Sequence, residues 1–312
     1  MYIKNFREIS KNDVGIAGGK GASLGEMTQA GIPVPPGFVV LASAFDKFLK
    51  DNDIKTKIDK LLDKVDTQDS SAIESCSEEI HNIVSNGSIP ENIKEEILIN
   101  FDNLDTEYVA IRSSATAEDS AIDAWAGQLE SYLFINKNNV LESVKKCWAS
   151  LFSPRALCYR FERGYKGKLV SVAVVVQKMI DSEVAGVCFT VHPVTRDKDQ
   201  MIAEACWGLG EALVQGSITP DSYVIEKSTL NFIDVSTSEQ TKMIVRKPDF
   251  DTEERAVPDD KKDKQKLSNE KIKELAKIAI NIENHYGKPQ DIEWALENNT
   301  LYILQARPIT TL

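Results

Sequence analysis

The residues best placed for chemistry are polar groups set where a plain core would not want them. The stretch Gln290–Arg307, QDIEWALENNTLYILQAR, carries two apolar-alternating runs around Asn298-Asn299, a hairpin signal. Asp291, Glu293, Gln305 and Arg307 interrupt its apolar pattern. A buried carboxylate is costly unless it is paired or bound to a metal, so the hairpin is either a surface rim or a cation site. Register bears on that choice, because opposed residues of an antiparallel pair share a face. A two-residue loop would set Glu293 against Leu304. A three-residue loop, Asn298 to Thr300, sets Glu293 against Gln305 and Asp291 against Arg307. It also leaves Trp294, Leu296, Tyr302 and Leu304 on the other face. We expect the longer loop, since its left-handed position suits asparagine.

Candidate anion ligands lie earlier in the chain. In GIAGGKGASLGEM, Gly18, Gly19 and Gly21 surround Lys20 at the start of a helical stretch. Outward N–H groups and the helix dipole suit a phosphate there. The spacing is not that of a P-loop, and a glycine turn with a surface lysine is the alternative. Tyr108–Ile111 reads as a short strand delivering Arg112 at its end, followed by Ser113, Ser114 and Thr116. A guanidinium beside hydroxyls makes an oxyanion clamp; a structural ion pair is the alternative. Residues 119–127 are rich in small side chains and read as a mobile loop, in which Gly127 would let backbone approach a ligand. Glu118 and Asp119 read as helix-start charges or cation ligands. The apolar run Val170–Val176 predicts a strand buried on both faces. The Gln177 amide and the Met179 backbone follow it and suit an adenine edge; a simple strand end is the alternative. Glu211 follows a Gly208–Gly210 turn and reads as a dipole-favoured helix-start charge.

These groups need elements to hold them. Residues 42–104 read as a helical insertion and Leu141–Gly164 as amphipathic helix. Strands are expected at 184–191, 200–206, 230–235 and 242–246. Residues 249–266 are charge-dense and read as a solvated, disordered loop. Ser268 caps a helix with Ile272, Leu275, Ala276, Ala279 and Ile282 on one face, which Gly287 and Pro289 end. A chain of 312 residues is long enough for two lobes. With 37 basic and 48 acidic residues its net charge is −11, which disfavours nucleic acid. No apolar run approaches the roughly 18 residues of a membrane span. The N-terminus lacks a signal-peptide core, and five scattered cysteines read as free thiols of a reducing cytoplasm. A cytoplasmic location is therefore expected.

Four segments in order, GGKGASLGEM, AIRSSATAED with AWAGQ, VVVQKMI with WGLGEALVQG, and DIEW with QARPIT, resemble the nucleotide-binding part of the phosphoenolpyruvate synthase and pyruvate phosphate dikinase family. That family includes the rifampin phosphotransferases. The resemblance spans nearly the whole chain and implies an α+β, ATP-grasp-like fold, two lobes closing on ATP and Mg²⁺. We place the lobes at 1–178 and 179–312, with a mobile charged loop at about 249–267 in the second. Lys20 resembles the family's phosphate-contacting lysine and Arg112 its phosphate-clamping arginine. Gly127 resembles part of the family's loop over the phosphates, and Gln177 with the Met179 backbone its adenine hinge. Glu293 and Gln305 take the metal and phosphate side, with Arg307 on the phosphates; Lys20, Arg112 and Arg307 are the catalytic candidates. The resemblance also implies Asp291 in the metal shell and Glu183 on the ribose. In the family ATP phosphorylates a histidine on a swivelling domain, which serves an acceptor elsewhere. His81, His192 and His285 lack that histidine's Thr-Ser context. The expected partner is thus a phosphohistidine domain on another chain or further sequence, serving pyruvate or, alternatively, an antibiotic such as a rifamycin. A nucleotide sensor that performs no chemistry is the alternative of another class.

Overall fold

The computed structural model describes residues 1–116, 131–162, 171–248 and 251–310. The fold is α+β, as expected, and the chain divides into two compact units. One comprises 1–26 and 36–179, the other 27–35 and 180–312. The boundary falls one residue later than the sequence suggested, so Met179 ends the first unit. The segment 27–35 belongs with the second, where the Pro33 carbonyl accepts from the Ile303 amide at 2.9 Å.

In the first unit, five strands run in the order β1 (Ile3–Asn5), β2 (Gly37–Val40), β5 (Val172–Lys178), β3 (Val109–Ala115) and β4 (Ser131–Ile135). The all-apolar run before Gln177 is the central strand, buried along nearly its whole length. Helices α2 (Ala42–Asp51), α3 (Ile54–Lys64), α4 (Ser70–Ser85) and α5 (Glu91–Asn103) occupy the stretch read as an insertion. They are instead part of the core. Phe45, Phe48, Ile58 and Ile80 are buried in one cluster with Val174 and Val176 of β5 and with Trp148 of α6 (Val140–Ala149). Their apolar faces cover one side of the sheet, so removing them would expose it. α7 (Pro154–Glu162) and α1 (Val14–Gln29), up to Glu26, complete the unit; the last three residues of α1 count with the second.

In the second unit six strands are ordered β13 (Thr300–Pro308), β12 (Gln290–Glu297), β6 (Val184–Phe189), β7 (Gln200–Trp207), β8 (Asp221–Glu226) and β9 (Phe232–Ser236). All pairs are antiparallel. α8 (Glu211–Val214) follows the Gly208–Gly210 turn, and α9 (Asn269–Tyr286) lies against β7 and β12. α9 buries the five apolar residues expected of it, capped by the Ser268 hydroxyl and ended by Gly287 in the left-handed region. The stretch read as a disordered loop departs from expectation. It holds β11 (Thr252–Ala256), paired with β10 (Lys242–Arg246), and ends in a fully buried ion pair between Lys266 and Asp221 at 2.7 Å. Charge density hid this, because one lysine among many is neutralised internally. The Asp221 oxygens also accept from the Tyr223 hydroxyl and from the Ser238 and Lys266 amides, 2.8–2.9 Å away. That satisfies a carboxylate otherwise too costly to bury. Burial, then Asp221, push the Tyr223 hydroxyl's pKa upward.

Candidate functional site

Each sheet has one face on its core and another that carries the candidate residues. In the first unit, Val174 and Val176 point into the helical core, so Ala173, Val175 and Gln177 point the other way. Arg112 pairs with Val175, Ser114 with Ala173 and Ala110 with Gln177, which sets Arg112, Ser114 and Gln177 on that second face. The strand expected to stop at Ile111 runs on to Ala115, so Arg112 sits inside it rather than at its end. Ser113 and Ser114 are buried there: both pair with β5 along the backbone, and the Gly21 amide donates to the Ser114 hydroxyl.

The glycine stretch meets this face. α1 is broken at Gly18, whose φ of 69° is left-handed, so its regular part begins beside Lys20. A side chain at Gly18 would come within 2.2 Å of the Ser114 hydroxyl. The Gly21 amide donates to that hydroxyl at 3.3 Å, and Lys20 Nζ donates to the Ser113 carbonyl at 3.1 Å. Lys20 and Arg112 are thereby brought together: the lysine is tied to the residue next to the arginine. Gln177 is buried within β5, and the Met179 amide donates to the Tyr108 carbonyl. Gly127 lies outside the described residues, as do Glu118 and Asp119.

In the second unit the hairpin brings its four polar groups onto one face. Glu293 opposes Gln305 and Asp291 opposes Arg307. Gln305 Nε2 donates to Glu293 Oε1 at 3.1 Å. Arg307 holds Asp291 Oδ2 through Nε and Nη2, at 2.8 and 2.7 Å. The route to this register is not the one expected. The loop has two residues, Asn298 and Asn299, with φ of 48° and 61°. Two consecutive left-handed asparagines match the twist of the strands. The extra residue is Leu304, bulged between the Glu293–Gln305 and Trp294–Ile303 pairs. A bulge lets neighbouring residues share a face, and the apolar grouping changes accordingly. Trp294 and Ile303 are buried on the core side, while Tyr302 and Leu304 pack with Ile180, Ala185 and Ala295 on the polar side. An apolar shelf thus adjoins the carboxylates. Glu183 Oε1 accepts from the Asn298 amide at 3.0 Å and Glu297 Oε1 from the Asp181 amide at 2.7 Å, so both pin the hairpin tip.

One carboxylate of this unit was passed over in the sequence. Glu204 of β7 opposes Val187, which opposes Glu293, so it lies on the same face two strands away. Partial burial raises its pKa above the usual 4.5. A lone charge within the apolar run MIAEACW was the available signal. Glu211, read as a helix-start charge, does begin α8. The cysteines are packing groups: burial pushes the Cys188 and Cys206 thiols up to about 12, well away from reactive thiolate. His192 Nδ1 accepts from the amides of Val194 and Thr195 and so organises its own turn.

Residues 14–312 match the family model described as pyruvate phosphate dikinase, AMP/ATP-binding domain. The chain belongs to this family. It is 47% identical over its full length to a probable phosphoenolpyruvate synthase of Methanocaldococcus jannaschii and 46% identical to that of Methanothermobacter thermautotrophicus. It spans 27% and 46% of those two proteins. Among solved structures it shows a likeness to a D-alanine–D-alanine ligase of Helicobacter pylori, at 13% identity and a TM-score of 0.31, over 70% of this chain and 46% of that one. Among the described residues, no helix is long and apolar enough to cross a membrane.

Proposed function

We propose that the chain binds Mg-ATP and donates a phosphoryl group to a histidine on a separate swivelling domain, as the ATP-binding part of a phosphoenolpyruvate synthase. The observation that carries this reading is the Glu293–Gln305 pair on a partly open sheet face beside an apolar shelf. Mg²⁺ takes oxygen ligands, commonly one or two carboxylates with phosphates and water. Glu293 and the Gln305 amide oxygen would supply the protein's share. Bound there, Mg²⁺ would neutralise charge building up on the phosphates. Lys20 and Arg112 would contact the phosphates, and Arg307 would join them. Asp291, which already holds Arg307 through two guanidinium nitrogens, then serves to aim that arginine and is a poorer metal ligand than the sequence suggested. The shelf of Ile180, Ala185, Tyr302 and Leu304 in the second unit would take the flat face of the base. In the first unit the Met179 amide is engaged by the Tyr108 carbonyl, so the adenine-edge role expected there would fall to the Met179 carbonyl and the Gln177 side chain. Phosphoryl transfer asks for positioning and charge neutralisation more than for covalent help from such a module.

Calorimetry tests the binding half. The wild-type chain should bind Mg-ATP, and Glu293→Ala should weaken it by roughly ten-fold or more with the fold intact. Unchanged affinity would make the hairpin a surface rim. For the chemistry, radiolabelled ATP should label a phosphohistidine domain added in trans, and absence of label with binding retained would leave a nucleotide sensor. AMP or ADP among the products tells which phosphoryl moves.

A further inference from the structure

We infer that Glu211 is a specificity-determining residue of the nucleotide site, accepting a hydrogen bond from a donor on the nucleoside: a ribose hydroxyl or the exocyclic amine of adenine. The inference rests on the nucleotide reading above and gives Glu211 a role beyond that of a helix-start charge. Glu211 Oε2 is shut off from solvent and has no hydrogen-bond partner among the described residues. A carboxylate oxygen in that condition costs stability, and a ligand that donates to it would recover the loss. A mere helix-start charge would not require burial, because the dipole already favours an exposed carboxylate.

The surroundings say which kind of ligand fits. The turn before Glu211 is held in place on both sides. The Gly208 amide donates to the Glu183 carbonyl at 2.9 Å and the Leu209 amide to the Ile244 carbonyl at 2.8 Å. A side-chain carbon at Gly210 would stand 3.7 Å from Ala185 Cβ, and Cys206 Sγ donates to the Leu209 carbonyl. Ala185 opposes both Ala295 and Cys206, so the turn comes down on the sheet face that carries Glu293. It does so at the apolar end, because Ala185 belongs to the shelf with Ile180, Ala295, Tyr302 and Leu304. An unsatisfied acceptor on the residue that follows a turn packed on a small apolar shelf matches a flat ring system with hydrogen-bond donors at its rim, which is what a purine nucleoside offers.

The test compares wild type, Glu211→Ala and the equal-volume Glu211→Gln by calorimetry with four ligands: ATP, 2′-deoxy-ATP, 3′-deoxy-ATP and purine riboside triphosphate, which lacks the amine. Glu211→Ala should weaken ATP roughly ten-fold, with Glu211→Gln between the two. One analogue should bind wild type and Glu211→Ala alike, and the missing group names the donor. Thermal melting of the ligand-free Glu211→Ala protein should match or exceed wild type. An equal loss for all four ligands, no loss for any, or a marked fall in melting temperature overturns the role. If wild type itself fails to bind ATP, the nucleotide reading falls and this inference with it; if wild type binds and the variants do not discriminate, only the inference falls.

Discussion

At the scale of single residues, the phosphate-side arrangement depends on what is absent. Gly18 combines a left-handed backbone with a close approach to Ser114, so Gly18→Ala meets two penalties together. It should cost about 1–3 kcal/mol in urea unfolding and weaken ATP binding, because Lys20 and Gly21 hang on the same contact. Glu204 gives a pH signature. Its folded pKa is raised, so the native protein holds this proton more tightly than the unfolded chain does. Stability therefore falls as pH rises from the unfolded value near 4.5 through the raised folded value. Glu204→Gln should be more stable than wild type at pH 7, by under about 1 kcal/mol because solvent screens the exposed half of the group. The gain should vanish below pH 4.5; urea titrations at both pH values read it directly. The glycine cluster and Lys20 stood out in the sequence, but as either a phosphate site or a plain turn. Ser114 did not, because its role depends on a partner 93 residues away.

At the scale of elements, sequence reading succeeded where periodicity was strong and failed where long-range pairing decides. The α9 face and the central strand β5 follow from their apolar patterns. β3 was cut short because Ser113 and Ser114 look like loop residues until β5 lies beside them. The Asp291–Arg307 and Glu293–Gln305 pairings were legible from the polar spacing, whereas the bulge that produces them was not, since any single residue of β13 could have been the extra one. The segment after β11 was hidden for an electrostatic reason: burial of Lys266 makes sense only with Asp221, 45 positions earlier. Removing one partner strands the other charge. Asp221→Ala should therefore lower unfolding stability by about 3–5 kcal/mol, read in urea, whereas Lys262→Ala, on an exposed pair with Asp259, should stay within about 0.5 kcal/mol.

At the scale of the whole molecule, a net charge of −11 sets the long-range field against an anionic ligand. Local cations and amides must then do the attracting at short range, inside a Debye length of about 10 Å at 0.1 M salt. The association rate for ATP should accordingly hold steady or rise as salt increases from about 20 to 200 mM, measured by stopped flow. A steep fall would mean that a basic patch dominates. The two units carry separate sheets, each with a core face and a candidate face. The sequence showed the two-lobe plan through its motif order but not that residues 27–35 leave the first unit for the second. One backbone bond from Ile303 to Pro33 marks that exchange, and no local pattern encodes it.

The bulge at Leu304 has a consequence for comparing chains. The hairpin needs one surplus residue between Glu293 and Gln305, and it does not matter to the paired side chains whether that surplus is lodged in the turn or in the strand. A relative with three residues at the tip and a regular β13 would present the same four polar groups. Its alignment to this chain would show a gap at one place and an insertion at another, although nothing at the site had changed. Correspondence across such hairpins is better counted inward from Asp291 and Arg307 than outward from the turn.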